Sequence, residues 1–148
     1  MTHSIRSNFL GALALVFSML QALQPVGADT ISVQDEKAVQ IVVQNQLTAF
    51  AKDDAEKAFS YATPELRKSI GNASTFMSMV KGNYPVVYRP TSVFFLKPER
   101  SGDDMIQRVQ MLDASGSSWL AQYNLQRQKD KTWRISGCVL VENKGRTA

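Results

Sequence analysis

After Gly82 the spacing of apolar residues along this chain changes from about 3.6 residues to 2, and that change limits the fold more than any other feature. Before it, Val39, Val43, Leu47 and Phe50 recur at steps of four, four and three, one stripe down a long helix. After it, Trp119, Ala121, Tyr123 and Leu125 alternate with Gln122, Asn124 and Gln126. Trp133, Ile135, Gly137 and Val139 likewise alternate with Arg134 and Ser136. Helices gathered in one half and strands in the other make an α+β domain, its antiparallel sheet covered on one face.

Residue chemistry marks where the elements end. Ser32, with Asp35 three residues on, caps the long helix, and Asp53 or Asp54 caps a second one carrying Ala55, Ala58, Phe59 and Ala62. Thr63-Pro64 starts a third helix, with Leu66 and Ile70 facing inward and Gly71 ending it. Asn72 caps a fourth with Phe76, Met79 and Val80, stopped by Gly82. Residues 86–97 read as a strand whose Pro90 marks an edge or a bulge, and 98–103 as a turn. Residues 105–112, 119–128 and 133–141 read as strands joined by turns at 113–116 and 129–131, so the sheet has about four strands.

The first 28 residues have another character. Arg6 precedes an apolar run from Phe9 to Leu20, Pro25 breaks it, and Val26-Gly27-Ala28 suits cleavage before Asp29. This predicts a signal peptide over 1–28 and one domain over 29–148, its core about 33–141, exported to the periplasm or beyond. The apolar run falls short of the roughly 20 residues a membrane span needs, so no membrane anchor is expected after cleavage.

Losing 1–28 removes His3, the sole histidine. The remaining chain has no imidazole base, no Ser-His or Cys-His pair and no His metal ligand, and one cysteine builds neither a disulfide nor a thiolate zinc site. No cofactor or metal is expected. The net charge is +4, but the bases are scattered, which argues against a nucleic-acid partner. Ser78-Met-Val-Lys81 has the Ser-x-x-Lys form of penicillin-recognising enzymes, yet the chain lacks their companion motifs and length.

Two likenesses add to this reading. A long helix, shorter helices and a curved antiparallel sheet resemble the cone-shaped fold of the nuclear transport factor 2-like superfamily. Tyr84-Pro-Val-Val-Tyr-Arg-Pro90, Trp119…Tyr123…Arg127-Gln128 and Trp133-Arg-Ile-Ser-Gly-Cys138 are similar to a family of exported bacterial proteins catalogued only as a domain of unknown function. The resemblance spans residues 33–141 and implies a fold without an activity. In the wider superfamily, ketosteroid isomerases and related enzymes use the mouth of the cone, while other members bind or dimerise.

Within such a cone the residue types choose the candidates. The acids sit at helix starts and turns, where they satisfy backbone amides, so no catalytic residue is assigned. Arg89 offers a fork of donors to a carboxylate or phosphate, with Tyr88 or Tyr123 beside it and Trp119 as a further aromatic wall. The competing role for Arg89 is to cap carbonyls or pair with a turn carboxylate. Cys138, in an apolar strand, reads as packed. The expected function is a non-catalytic domain binding an anionic small molecule or a protein, as a homodimer through its sheet. The alternative is a His-free isomerase or cyclase using the cone as a shielded pocket.

Overall fold

The computed structural model describes residues 30–144, so the signal peptide expected over 1–28 lies outside the described residues. Five helices come first: α1 (Val33–Ala51), α2 (Ala55–Ser60), α3 (Pro64–Ile70), α4 (Ala73–Asn83) and α5 (Pro85–Tyr88). Five strands follow: β1 (Ser92–Phe95), β2 (Glu99–Ser101), β3 (Asp104–Leu112), β4 (Ser118–Arg127) and β5 (Trp133–Glu142). They form one open antiparallel sheet in the order β1-β3-β4-β5, with β2 paired to the other end of β3. The domain is α+β.

The helix starts form as their residues dictate. Ser32 Oγ accepts the Asp35 amide at 3.0 Å and donates back to its carboxylate at 2.8 Å. Asp54, Thr63 and Asn72 each accept the amide three residues on, at 3.0, 3.2 and 2.8 Å. Each bond satisfies an amide that the helix itself leaves open. Gly71 ends α3 in the left-handed region, at φ 105°. The α1 stripe of Val39, Val43, Leu47 and Phe50 is buried, and α1 packs on β3 and β5 while α2 and α4 pack on each other. On the sheet, Met105, Val109, Met111, Ala121, Tyr123, Leu125, Trp133 and Ile135 complete the core.

Four local readings are corrected. Residues 86–97 are not one strand: Pro85 opens α5, and only Ser92–Phe95 pairs in the sheet. Proline suits that first helical position, since its fixed φ is helical and no amide is needed there. The Val87 and Tyr88 amides donate to Tyr84 O at 2.9 and 3.0 Å. Gly82, expected to stop α4, lies inside it; the helix runs on to Asn83, where Tyr84 and Pro85 turn the chain. The turn expected over 98–103 contains β2, three exposed residues paired to 104–106 around Gly102. An edge strand held by backbone bonds alone leaves no apolar pattern to read.

The fourth correction decides which side chains face inward at the end of β5. Gly137 pairs with Asn124 and Ile135 with Leu125, so Ser136 is the extra residue of a β-bulge, its Oγ donating to Asn124 O at 3.1 Å. The alternation shifts by one beyond it. Trp133 and Ile135 share the inner face with Cys138 and Leu140, whereas Val139 and Val141 point outward, 54% and 56% exposed. The free edge of β5 is partly covered by the α2–α3 connection. There the Ile135 amide donates to Tyr61 O and the Thr63 amide to Ile135 O, each at 2.8 Å.

Candidate functional site

Where α5 and the turn between β3 and β4 approach the inward end of β5, an open cavity of about 920 Å³ remains. Tyr84 and Tyr88 from the α4–α5 corner, Arg89, Asp113, Trp119 and Cys138 form much of its wall. Three of the four residues chosen from sequence therefore meet: Arg89, Tyr88 and Trp119. Tyr123, the fourth, lies on a separate inner cavity.

Arg89 is already engaged. Its Nη1 donates to Phe50 O at 2.6 Å and Tyr88 O at 3.2 Å, and its Nη2 to Asp53 at 3.0 Å. Those are the carbonyl-capping and turn-carboxylate roles set against anion binding above. An arginine has five N–H donors, so two are left over for a ligand. The Tyr88 hydroxyl donates to Asp53, and Lys81 Nζ lies 3.5 Å from the same carboxylate. Both cations sit over the Tyr88 ring, Arg89 at 4.0 Å and Lys81 at 5.1 Å from its centroid. Tyr88, then Arg89 and Lys81, hold the Asp53 carboxyl below the usual carboxylate range. Asp53 lies between α1 and α2 at φ 55°, which aims it back at α5. The cluster latches α5 to the end of α1.

Trp119 is held by Asp113, whose Oδ2 accepts the indole N–H at 2.8 Å. Asp113 Oδ1 accepts the Ser115 hydroxyl at 2.6 Å and the Ser115 and Ser117 amides at 2.9 Å each. The Ser115 hydroxyl first and the indole second hold this carboxyl at about 2, against an ordinary 3.8. Such an acid is a structural acceptor and a poor general base at neutral pH. Its bonds favour the charged form in the folded state, so their stabilisation is complete above about pH 4 and lost as pH falls towards 2. Asp113→Asn is expected to flatten the stability profile across that window. Urea midpoints measured from pH 5 to pH 2 (roughly the range over which carboxylates titrate) check this; an unchanged acid limb would show that Asp113 is unpaired.

The inner cavity, about 340 Å³, lies among α1, α3, α4 and the sheet, with Gln46, Phe50, Phe76, Met79, Tyr123 and Cys138 on its wall. No charged residue lines it. Tyr84 and Cys138 border both cavities. The Tyr123 hydroxyl is buried without a hydrogen-bond partner, and the polar group it meets is the Cys138 thiol. Burial pushes the Cys138 thiol up to about 12 and raises the Tyr123 phenol well above its usual 10, so both stay protonated.

Sequence reasoning did not find Asp53 or Asp113 as partners of the chosen residues. Asp113-Ala-Ser-Gly-Ser117 carries a usable signal: an Asp followed by Ser two and four residues on is suited to a side-chain-closed turn. Asp53 has no comparable signal, because its partners are 28 and more residues away in sequence. Among the described residues, no three His, Cys, Asp or Glu side chains come together to hold a metal ion. No described helix is long and apolar enough to cross a membrane.

A family model described as a domain of unknown function (DUF4864) matches residues 32–148. No curated protein matches the chain. Among solved structures, an NTF2-like protein of unknown function from Shewanella baltica OS155 is similar at a TM-score of 0.52 and 14% identity, covering 79% of this chain and 100% of its own. An NTF-2 like protein of unknown function from Silicibacter pomeroyi DSS-3 gives 0.53 and 14%, covering 77% and 100%. Aln2 from a Streptomyces species gives 0.51 and 12%, covering 76% and 94%. At these identities the likeness is one of fold, and the fold is NTF2-like.

Proposed function

For this chain, which belongs to the family described as a domain of unknown function (DUF4864), we propose a non-catalytic role: binding a small organic anion in the outer cavity. The observation that carries the reading is the meeting of Arg89, Tyr88 and Trp119 on one wall of that cavity. Two tyrosines and a tryptophan give apolar faces with polar tips, and Arg89 keeps donors free. The carboxylate on the wall, Asp113, is spent on Trp119 and the serines, which leaves the His-free isomerase alternative without a poised base there. The leader-like residues 1–28 support export to the periplasm or beyond. The outer face of the sheet, with Phe94, Leu112, Val139 and Val141 exposed, supports a homodimer through that face.

Arg89 is 45% exposed and faces Asp53, so its share of the affinity is small, about 1 kcal/mol or less. A thermal-shift screen of organic anions on wild type and Arg89→Met tests this. An anion that raises the wild-type midpoint is expected to raise that of Arg89→Met less. Equal shifts, or no shift from any anion, would remove the anion reading.

A further inference from the structure

We propose that the inner cavity is a second ligand site, one that takes a neutral, largely apolar molecule bearing a single hydrogen-bond-accepting oxygen, such as an aryl ketone. It goes beyond the outer-cavity reading and does not draw on Arg89. Tyr123 carries it: the residue is 1% exposed, its hydroxyl has no hydrogen-bond partner, and it lines a cavity of about 340 Å³. Buried hydroxyls are rarely left unpaired, because each loses its water without replacement. An acceptor oxygen from a ligand restores the missing bond.

The wall selects the rest of the ligand. Phe50, Phe76, Met79 and Ile135 are apolar, and no lysine, arginine, aspartate or glutamate reaches the lining. A carboxylate entering there would shed its hydration and meet no cation, which disfavours anions strongly. Tyr123 and Cys138, both raised by burial, stay protonated and offer donors, so an acceptor suits them better than a second donor. The volume lies at the small end of ligand sites, the scale of a one- or two-ring molecule. Leu66, Ile70 and Met79 on the α3–α4 side are half-buried and Ser69 is exposed, so the rim opens to the surface there.

The test uses the full chain, NMR signals of the Met79 methyl and the Trp119 indole, and three probes of similar shape. Acetophenone presents a carbonyl, α-methylstyrene replaces its oxygen by =CH2, and benzoate adds a charge. Acetophenone is expected to move the Met79 methyl and to bind about tenfold more tightly than α-methylstyrene, the weight of one neutral hydrogen bond. Tyr123→Phe, which removes only the hydroxyl oxygen, should bring the two within about twofold. Equal affinities in the wild type overturn the inference without recourse to any variant. An unmoved Met79 methyl, or a ketone preference that survives in Tyr123→Phe, overturns it equally. Benzoate reports the other site: if it moves the Trp119 indole while acetophenone leaves Met79 unmoved, only the inner site fails. If acetophenone behaves as expected and benzoate moves nothing, only the anion reading fails.

Discussion

Phe50→Ala is expected to lower the unfolding free energy by about 3–5 kcal/mol, a large part of the 5–15 kcal/mol (roughly) that holds domains of this kind. Phe50 is 1% exposed, and its ring lies 5.8 Å from that of Phe76, centroid to centroid. It stands where α1 meets the inner cavity, so a truncated side chain enlarges an existing space instead of allowing collapse around it. Its carbonyl is also the group capped by Arg89, which ties the last turn of α1 to α5. Urea denaturation of the variant beside Val93→Ala, a partly exposed edge position, measures the difference. A loss under about 1 kcal/mol for Phe50→Ala would show that α1 is not packed as described.

The second large effect separates two neighbours on β5. Ile135→Asp is expected to prevent stable folding at room temperature, with a cost of roughly 3–5 kcal/mol or more. It places an unpaired carboxylate at a position that is 3% exposed, behind α3 and beside Leu125. Val139→Asp is expected to change stability by no more than about 0.5 kcal/mol, as surface substitutions do. Strict alternation from Trp133 would give both residues the same fate; the bulge at Ser136 separates them. If both variants unfold, Val139 faces inward and the bulge is misplaced. If Val139→Asp stays folded but elutes as a monomer where the wild type elutes as a dimer, the outer sheet face is the homodimer interface.

What could be read without the structure was local. The caps at Ser32, at Asp53 or Asp54, at Thr63 and at Asn72 are set by a side chain reaching an amide three residues away, and all four formed, with Asp54 as the second. The α1 stripe and the inward set on β4 follow from single periods maintained over several turns or pleats, and both are buried except for the half-buried Trp119. Trp119, Tyr88 and Arg89 were legible as candidates by residue type, since few other side chains combine apolar surface with a directed donor. Pro85, by contrast, shows how one residue carries two local meanings. A proline near a β-branched run marks a strand edge or a first helical turn, and the neighbours that choose between them are remote in sequence.

The α+β class, the absence of histidine after residue 28 and the short-range caps belong to the sequence itself, because they rest on composition, on residue periods and on contacts within about one helical turn. Which groups share a cavity was decided by the tertiary structure. Asp53 reaches Arg89 across 36 residues and Trp133 reaches Asp35 across 98, distances at which no period or spacing carries information. The bulge at Ser136 is likewise a property of the pairing between β4 and β5, not of either strand alone. By shifting the pleat one residue it turns Cys138 towards Tyr123 and leaves a phenol and a thiol facing an uncharged space. Alternation along β5 taken by itself puts Cys138 on the other face, because a strand's period says which residues lie together only until its partner adds or skips one.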